Sequence, residues 1–287
     1  MISGGTDQTV PDGSGDSRYH QLRGMPQGEA NFQRLISSES VVHWFAENRD
    51  VYHPKISSMP TGMIGEDLDN AYDFQHIEYI PLHDRPKMIM SADRLRSGAQ
   101  WRDRWLVESW CLNTSYCMRP MAPTAGSNLN RSSYLSIVAS VPFVACVHGG
   151  GLDPSPKAWE TILAGTIPII RRNAVSDAYE HLPVAFVTEW ADLFLDEKRG
   201  RKMMDTWLKK LGPYYVKGSA LRRRTLNVSG AQHPFPSLFC LRSAFDVFSV
   251  FFLCSLYLSL VSFILFYFCH VMPFHFMSCF FISFNLI

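Results

Sequence analysis

Short apolar runs and segments with helical spacing follow one another along most of the chain. The runs that predict buried strands are 41–45, 55–59, 87–90, 142–147, 167–170 and 183–187. Apolar residues recur at helical spacing in 101–111, 134–139, 156–164 and 195–211. Because strands alternate with helices, the pattern predicts an α/β fold with a parallel sheet. The last helix is expected to stop at Gly212-Pro213, since proline lacks the N–H that would continue it.

Composition divides the chain into three parts. The first 30 residues are rich in Gly, Asp, Ser and Gln, which is typical of loops, with a short strand expected at the very start. We expect residues 1–60 to be a partial N-terminal region and linker, and residues 61–237 to be the main α/β domain. Residues 238–287 form an apolar tail in which only Arg242 and Asp246 are charged.

The tail contains a candidate transmembrane helix. Residues 247–269 carry no charge, and at about 1.5 Å per residue they are long enough to cross a hydrocarbon layer of about 30 Å. Arginines precede this segment at 222–224 and 242, and none follows, which favours a cytoplasmic location for the folded part. The Phe-, Leu-, Ser-, Cys- and Tyr-rich composition is also typical of translated pyrimidine-rich non-coding DNA, and that alternative stays open.

Charge and cysteine usage exclude several classes of protein. The 27 basic and 26 acidic residues give a net charge of +1. Proteins that bind nucleic acid usually carry a strong excess of positive charge, so this class is excluded. The seven cysteines include no CxxC pair, so no metal site is expected. Cys111 and Cys117 are expected to be unpaired, with a bridge as the alternative in an oxidising compartment. Asn-x-Ser/Thr patterns at 113, 130 and 227 favour a secretory lumen, in conflict with the orientation that the arginines indicate.

The strand at 142–147 runs into three consecutive glycines, which are Gly149, Gly150 and Gly151. Glycine lets a ligand approach the backbone closely, and the helix that follows presents unpaired N–H groups to an anion. The segment lacks the GxxxxGK[ST] spacing of a P-loop, and Pro154 stands where GxGxxG requires its third glycine. A kinase or a dinucleotide oxidoreductase is therefore disfavoured, while a tight turn without a ligand stays open.

The helix after the glycines carries further candidates for binding. Ser155 is expected to be its N-cap, with Pro156 at the first helical position. Glu160 lies one turn inside, where a carboxylate weakens anion binding unless it accepts hydrogen bonds from neutral hydroxyls such as those of a ribose. This combination favours a nucleotide sugar as ligand. A solvent-facing Glu160 and a surface Lys157 are the alternatives.

Three blocks of sequence carry a resemblance to a known family. They are Gly149-Gly150-Gly151-Leu152-Asp153, residues 157–165 (KAWETILAG) and residues 166–170 (TIPII). Weaker matches are 44–48 (WFAEN), 53–62, 182–184 (LPV) and 189–193 (EWADL). Together they resemble the exostosin-like glycosyltransferases, also described as glycosyltransferase family 47-like, over roughly residues 40 to 195.

The resemblance implies a fold and a set of site residues. It implies a Rossmann-like parallel sheet that corresponds to the C-terminal half of a GT-B fold, with the donor's diphosphate at 149–155 and its ribose near Glu160. One of Arg94, Arg102 and Arg104 is expected to clamp the diphosphate. The substrate-binding set is Arg102, Arg104, Gly149, Gly150, Gly151, Asp153, Ser155, Lys157 and Glu160. No metal or cofactor is expected. The catalytic base stays unassigned; His148 beside the glycines is a candidate for proton transfer or for a structural role.

The leading hypothesis is a glycosyltransferase that moves a sugar from a nucleotide-diphosphate donor to a glycan acceptor, with a shortened N-terminal half. The expected partners are the donor, the glycan and, through the tail, a membrane, with the Golgi as the expected compartment. The alternative is a non-catalytic, membrane-tethered module that binds nucleotide sugar or a complete transferase. A third hypothesis is a fragment without stability of its own.

Overall fold

The structure, a computed structural model, describes residues 1–13, 24–63, 74, 77–92, 95–120 and 129–228, with backbone alone for 216–228. The strands within these residues are β1 (Ile2–Ser3), β2 (Trp44–Ala46), β3 (Ile56–Ser58), β4 (Ile89–Ser91), β5 (Cys117–Met118), β6 (Phe143–Ala145), β7 (Ile167–Arg171) and β8 (Ala185–Val187). The helices are α1 (Gly28–Ser37), α2 (Arg102–Leu112), α3 (Arg131–Ser140), α4 (Lys157–Leu163), α5 (Trp190–Phe194) and α6 (Glu197–Val228). Single 3-10 turns lie at Ala99–Trp101 and Ser176–Tyr179.

The larger sheet has five parallel strands in the order β5-β4-β6-β7-β8. The predicted α/β class and its parallel sheet are therefore confirmed. The chain runs outward from β4 to β5 and then returns across β4 to place β6 on its other side. The direction of the connections therefore reverses between β4 and β6, and ligands of open parallel sheets bind outside the carboxyl ends of the strands at such a reversal.

Alternation along the strands gives the larger sheet two apolar faces. Ile89, Phe143, Ile167, Ile169 and Val187 point to one face, where they pack with residues of α2, α5 and α6. The intervening Met90, Val144 and Ile170 point to the other face and pack with α3 and α4. Because both faces are covered, the strands read in the sequence as continuous apolar runs rather than as alternating ones.

The smaller sheet consists of β1, β2 and β3, all parallel. Phe32 and Ile36 of α1 pack with Trp44, Ala46 and Ile56 of the two longer strands. The strand at the start of the chain and the two strands near 41–45 and 55–59 were predicted. Helix α1 was not, since it has only two buried apolar residues and lies in a segment interpreted as loop and strands.

Helix α6 continues through Gly212-Pro213, and the predicted stop at these residues is wrong. Leu211 and Tyr215 are both buried against the sheet, and the Tyr215 hydroxyl donates a hydrogen bond of 2.7 Å to the Pro183 carbonyl. Burial raises the pKa of Tyr215 well above its ordinary value, so this hydroxyl keeps its proton. Packing on both sides of the proline holds the helix together despite the lost backbone bond.

Cys111 and Cys117 form a disulfide bond, with an S–S distance of 2.05 Å. The expectation that they are unpaired is therefore wrong. Helix α2 ends one residue after Cys111, and the turn that follows brings the first residue of β5 back beside the last helical turn. The two Cα atoms lie 5.1 Å apart, within the range that a disulfide requires.

Residues Met1–Arg224 form one compact unit. The predicted transmembrane segment 247–269 lies outside the described residues. Among the helices that the structure does describe, none has the length and apolar character needed to cross a membrane.

Candidate functional site

The residues selected from the sequence gather at the carboxyl edge of the larger sheet. A helix that follows a parallel strand starts at the edge where that strand ends, so the first turns of α2, α3 and α4 share this edge with the loop after β6. Arg102 and Arg104 lie in the first turn of α2, and Lys157 and Glu160 lie in α4. Asp153, Ser155 and the three glycines lie in the loop between β6 and α4.

The glycine loop, residues 149–155 between β6 and α4, carries backbone N–H groups for which the described residues supply no acceptor. No acceptor among the described residues binds the N–H groups of Gly149, Gly150 or Gly151, although Gly150 and Gly151 are buried. Buried backbone N–H groups in proteins are almost always paired with protein atoms or with water. Successive unpaired N–H groups in a loop are typical of sites that bind anions.

Arg104 lies directly against this loop. Its Nε donates a hydrogen bond of 2.9 Å to the His148 carbonyl, and its guanidinium stacks on the Trp101 ring at 4.8 Å from the ring centre. A Cβ added at Gly149 would lie 3.2 Å from Arg104 Nη2, so the absence of a side chain allows this close approach. Arg96 lies over the same Trp101 ring, at 5.3 Å.

The Asp103 carboxylate lies between the side chains of Arg171 and His148, beside the glycine loop. Asp103 Oδ2 lies 2.8 Å from Arg171 Nη1 and 3.4 Å from His148 Nε2. Burial alone would raise the pKa of Asp103, but the hydrogen bond with His148 and the charge of Arg171 outweigh it and lower the pKa below its ordinary value. The other ring nitrogen of His148 lies 3.2 Å from the Gly149 carbonyl. His148 thus links α2 to the glycine loop, which favours its structural role.

Replacing Asp103 with asparagine is expected to reduce the loss of stability in acid. Because the folded-state pKa of Asp103 lies below its unfolded value of about 3.9, the carboxylate stabilises the protein at neutral pH, and this contribution disappears as the pH falls below about 4. Urea unfolding at pH 7 and pH 3 measures the difference. Asp84→Asn, at an exposed position, is the control. An Asp103→Asn variant as acid-sensitive as the unchanged protein would contradict this account.

Asn48, which follows β2, shapes the far end of the glycine loop. Its Oδ1 accepts hydrogen bonds of 2.9 Å from the N–H groups of Leu152 and Asp153, and its Nδ2 donates to the Thr6 carbonyl. A Cβ at Gly151 would overlap the Asn48 amide. Gly151 is therefore needed for packing against Asn48, whereas sequence reasoning assigned it to ligand approach.

Asp153 and Ser155 take part in a network within the protein. Asp153 accepts hydrogen bonds from the N–H groups of Thr61 and Ser155, at 2.9 and 2.7 Å, and from the Tyr179 hydroxyl at 2.6 Å. Burial and the Asp153 charge raise the pKa of Tyr179 well above its ordinary value, so this hydroxyl stays a donor. Ser155 Oγ donates to Tyr179 and accepts from Gly62. Because Oγ is engaged there, it does not cap α4, and the predicted N-cap is wrong.

The carboxyl edges of the two sheets meet at this place. Buried Arg49, after β2, donates to the carbonyls of Ala174 and Ile56 and lies 3.1 Å from Asp177 Oδ2. Ser58, the last residue of β3, also donates to Ala174, at 3.0 Å. Ala174 follows β7, so these bonds join the ends of β2 and β3 to the loops of the larger sheet. Sequence reasoning missed both Asn48 and Arg49 as residues that shape the site.

The remaining candidates lie around this centre. Glu160 is buried, and its Oε1 accepts a hydrogen bond of 2.8 Å from Arg131 Nη1 at the start of α3. Sequence reasoning missed Arg131, because its contact with Glu160 depends on α3 lying beside α4. Lys157 is half-buried, Arg102 is exposed, and Arg94 lies outside the described residues. In the described part of the chain, no group of three or more His, Cys, Asp and Glu side chains is arranged to hold a metal ion.

Fold and site together define an α/β protein with parallel sheets, in which a glycine loop flanked by arginines lies at the carboxyl edge of the larger sheet. No family model matches the chain, and no curated protein sequence matches it.

Proposed function

We propose that the protein is an exostosin-like glycosyltransferase that transfers a sugar from a nucleotide-diphosphate donor to a glycan acceptor. The observation that carries this proposal is the glycine loop at the strand reversal between β4 and β6. Its glycine N–H groups have no acceptor among the described residues, and Arg104 lies beside them. A diphosphate requires donors of this kind, and arginine supplies two parallel N–H groups to its oxygens. The resemblance of residues 149–170 to the family, which includes the same glycines, is the sequence-based reason for naming this class of enzyme.

The proposed chemistry is a displacement at the anomeric carbon of the donor sugar. The bond from this carbon to the diphosphate oxygen breaks, a bond to the acceptor oxygen forms, and the acceptor hydroxyl loses its proton to a base that stays unassigned. Negative charge develops on the leaving diphosphate, so fixed N–H groups and the Arg104 guanidinium stabilise the transition state. Arg171 lies on the same edge, with part of its charge neutralised by Asp103.

The proposed activity implies a particular arrangement of the two parallel sheets. We infer that the larger sheet is the Rossmann-like C-terminal half of a GT-B fold and that the smaller sheet belongs to the other half, which faces it across the donor site in that fold. Support comes from the two carboxyl edges, which meet through Asn48, Arg49 and Asp153. Ligands of open α/β sheets bind outside the carboxyl ends of the strands, so the donor would lie between the two sheets.

Calorimetric titration of the full chain, held in mild detergent, with UDP, GDP and their sugar conjugates tests the donor site. One nucleoside diphosphate is expected to bind, and Arg104→Ala is expected to weaken its binding about tenfold to a hundredfold, because a hydrogen bond to a charged group contributes roughly 1.5–3 kcal/mol. Arg199→Ala, at an exposed residue of α6, is the matched control and should bind normally.

The outcomes separate the competing hypotheses. Binding accompanied by release of free nucleotide in the presence of glycan acceptors would support the transferase. Binding without turnover would favour the non-catalytic, membrane-tethered module. A folded protein that binds none of these nucleotides would contradict the proposal.

A further inference from the structure

We propose that Asn113 is a site of N-linked glycosylation, and that the folded part of the chain consequently faces an oxidising lumen. Asn113 lies in the turn between α2 and β5 and begins the pattern Asn113-Thr114-Ser115. This pattern is the acceptor for oligosaccharides in the secretory pathway, where it is used at surface positions.

The geometry of the turn suits a glycan. The Asn113 side chain is exposed, and its Nδ2 donates a hydrogen bond of 2.9 Å to the Ser109 carbonyl at the surface. Glycosylation replaces one of the two hydrogens on this nitrogen, so the other can keep the bond. The neighbouring Leu112 is 68% exposed, and a glycan at the next residue would shield this apolar surface from water.

The disulfide bond supplies a second, independent observation. Cys111 and Cys117 are six positions apart in the sequence, and Asn113 lies in the loop that their disulfide bond closes. Disulfide bonds persist in the endoplasmic reticulum and outside the cell but are rare in the cytosol, where thiols are kept reduced. The two thiols would lose two electrons and two protons to a protein disulfide oxidant of that compartment. The same lumen holds the machinery that glycosylates asparagine, so one location explains both features.

The position of Asn113 in the fold distinguishes it from the other acceptor pattern with a described side chain. Helix α2 starts at the carboxyl edge of the sheet and runs back to the opposite edge, so Asn113 lies away from the glycine loop. Asn130 instead caps α3 through a hydrogen bond from the Ser133 N–H and precedes Arg131, the partner of Glu160. A glycan on Asn130 would stand beside the candidate site, whereas one on Asn113 leaves it open.

The modification transfers an oligosaccharide to the side-chain amide of Asn113. Nδ2 of Asn113 forms a bond to the anomeric carbon of an oligosaccharide carried on a polyprenyl diphosphate. The bond between that carbon and the diphosphate oxygen breaks, the diphosphate leaves with the electron pair, and the amide gives up one proton. This inference is independent of the proposed transferase activity. It opposes the cytoplasmic orientation that the arginines before the tail indicate.

The test is expression of the full chain in cultured animal cells, followed by treatment with an amidase that removes N-glycans. A loss of mass is expected, with an aspartate left at position 113 in the digested peptide. Ser115→Ala should abolish modification at this site, whereas the matched control Ser115→Thr preserves the acceptor pattern and should keep it. Alkylation before reduction should leave Cys111 and Cys117 unlabelled.

The peptide that contains Asn113 can also be examined in the unchanged protein, where no variant has to fold. Unmodified Asn113 in the cell-derived protein would overturn it, and so would a glycan found on Asn130 alone. Labelling of Cys111 and Cys117 without prior reduction would overturn the lumenal location.

Discussion

Replacing Asn48 with alanine is expected to lower the free energy of unfolding by about 4 kcal/mol. The N–H groups of Leu152 and Asp153 would lose their common acceptor, and a buried N–H left unsatisfied costs roughly 1–3 kcal/mol. Asn48 also has a positive φ of 50°, a conformation that costs alanine about 1 kcal/mol. Urea unfolding measures the change. Binding of the proposed donor should weaken as well, because the glycine loop loses its support.

Asn48→Gly separates the two contributions. Glycine accepts a positive φ but lacks the amide, so this variant should be more stable than Asn48→Ala by about 1 kcal/mol. Asn31→Ala, at an exposed asparagine of α1, should leave the free energy of unfolding nearly unchanged. If Asn48→Gly proved as stable as the unchanged protein, the hydrogen bonds to the loop would have no energetic importance.

Gly151→Ala is expected to have the second large effect, a loss of about 3 kcal/mol. Gly151 does not have a positive φ, so alanine fits its backbone, but the added methyl group would overlap the Asn48 amide. The amide must then leave its place and give up its bonds to Leu152 and Asp153. Asn31→Ala on the exposed face of α1 is again the control and should leave the free energy of unfolding nearly unchanged.

Combining the two substitutions tests whether they remove the same bonds. In the double variant with Asn48→Gly and Gly151→Ala, the methyl group meets no amide, so the total loss should be smaller than the sum of the single losses by about 2 kcal/mol. Additive losses would show that Gly151 acts independently of Asn48. They would contradict the close packing of Gly151 against the Asn48 amide.

The sequence predicts the larger sheet well because its strands are buried on both faces. The runs at 142–147 and 167–170 correspond to β6 and β7 to within a few residues. Both faces of these strands are buried by helices, so nearly all of their side chains are apolar. Helix α1 was missed because it covers a small sheet with only Phe32 and Ile36. The stop at Pro213 was wrong because local propensity was outweighed by the packing of Leu211 and Tyr215.

The sequence indicates which residues lie together at the carboxyl edge of the larger sheet, but not the contacts that they make. The glycine run after a strand is visible in the sequence, and so is the arginine-bearing start of α2. No local pattern indicates that Asn48 lies against Gly151, or that Tyr179 donates to Asp153, because these pairs arise only when separate strands end at a common edge. The pairing of Glu160 with Arg131 depends in the same way on α3 lying beside α4.

The meeting of the two carboxyl edges has a consequence for folding. The bonds from Asn48 to the glycine loop span 104 and 105 residues, and those from Arg49 to Ala174 span 125. Contacts between residues so distant in sequence form slowly, since a long loop must close before they contribute any stability. The five-stranded sheet can therefore form while its glycine loop is still without its native shape. The native shape of this loop would appear as one of the last steps of folding, only after the N-terminal strands have docked.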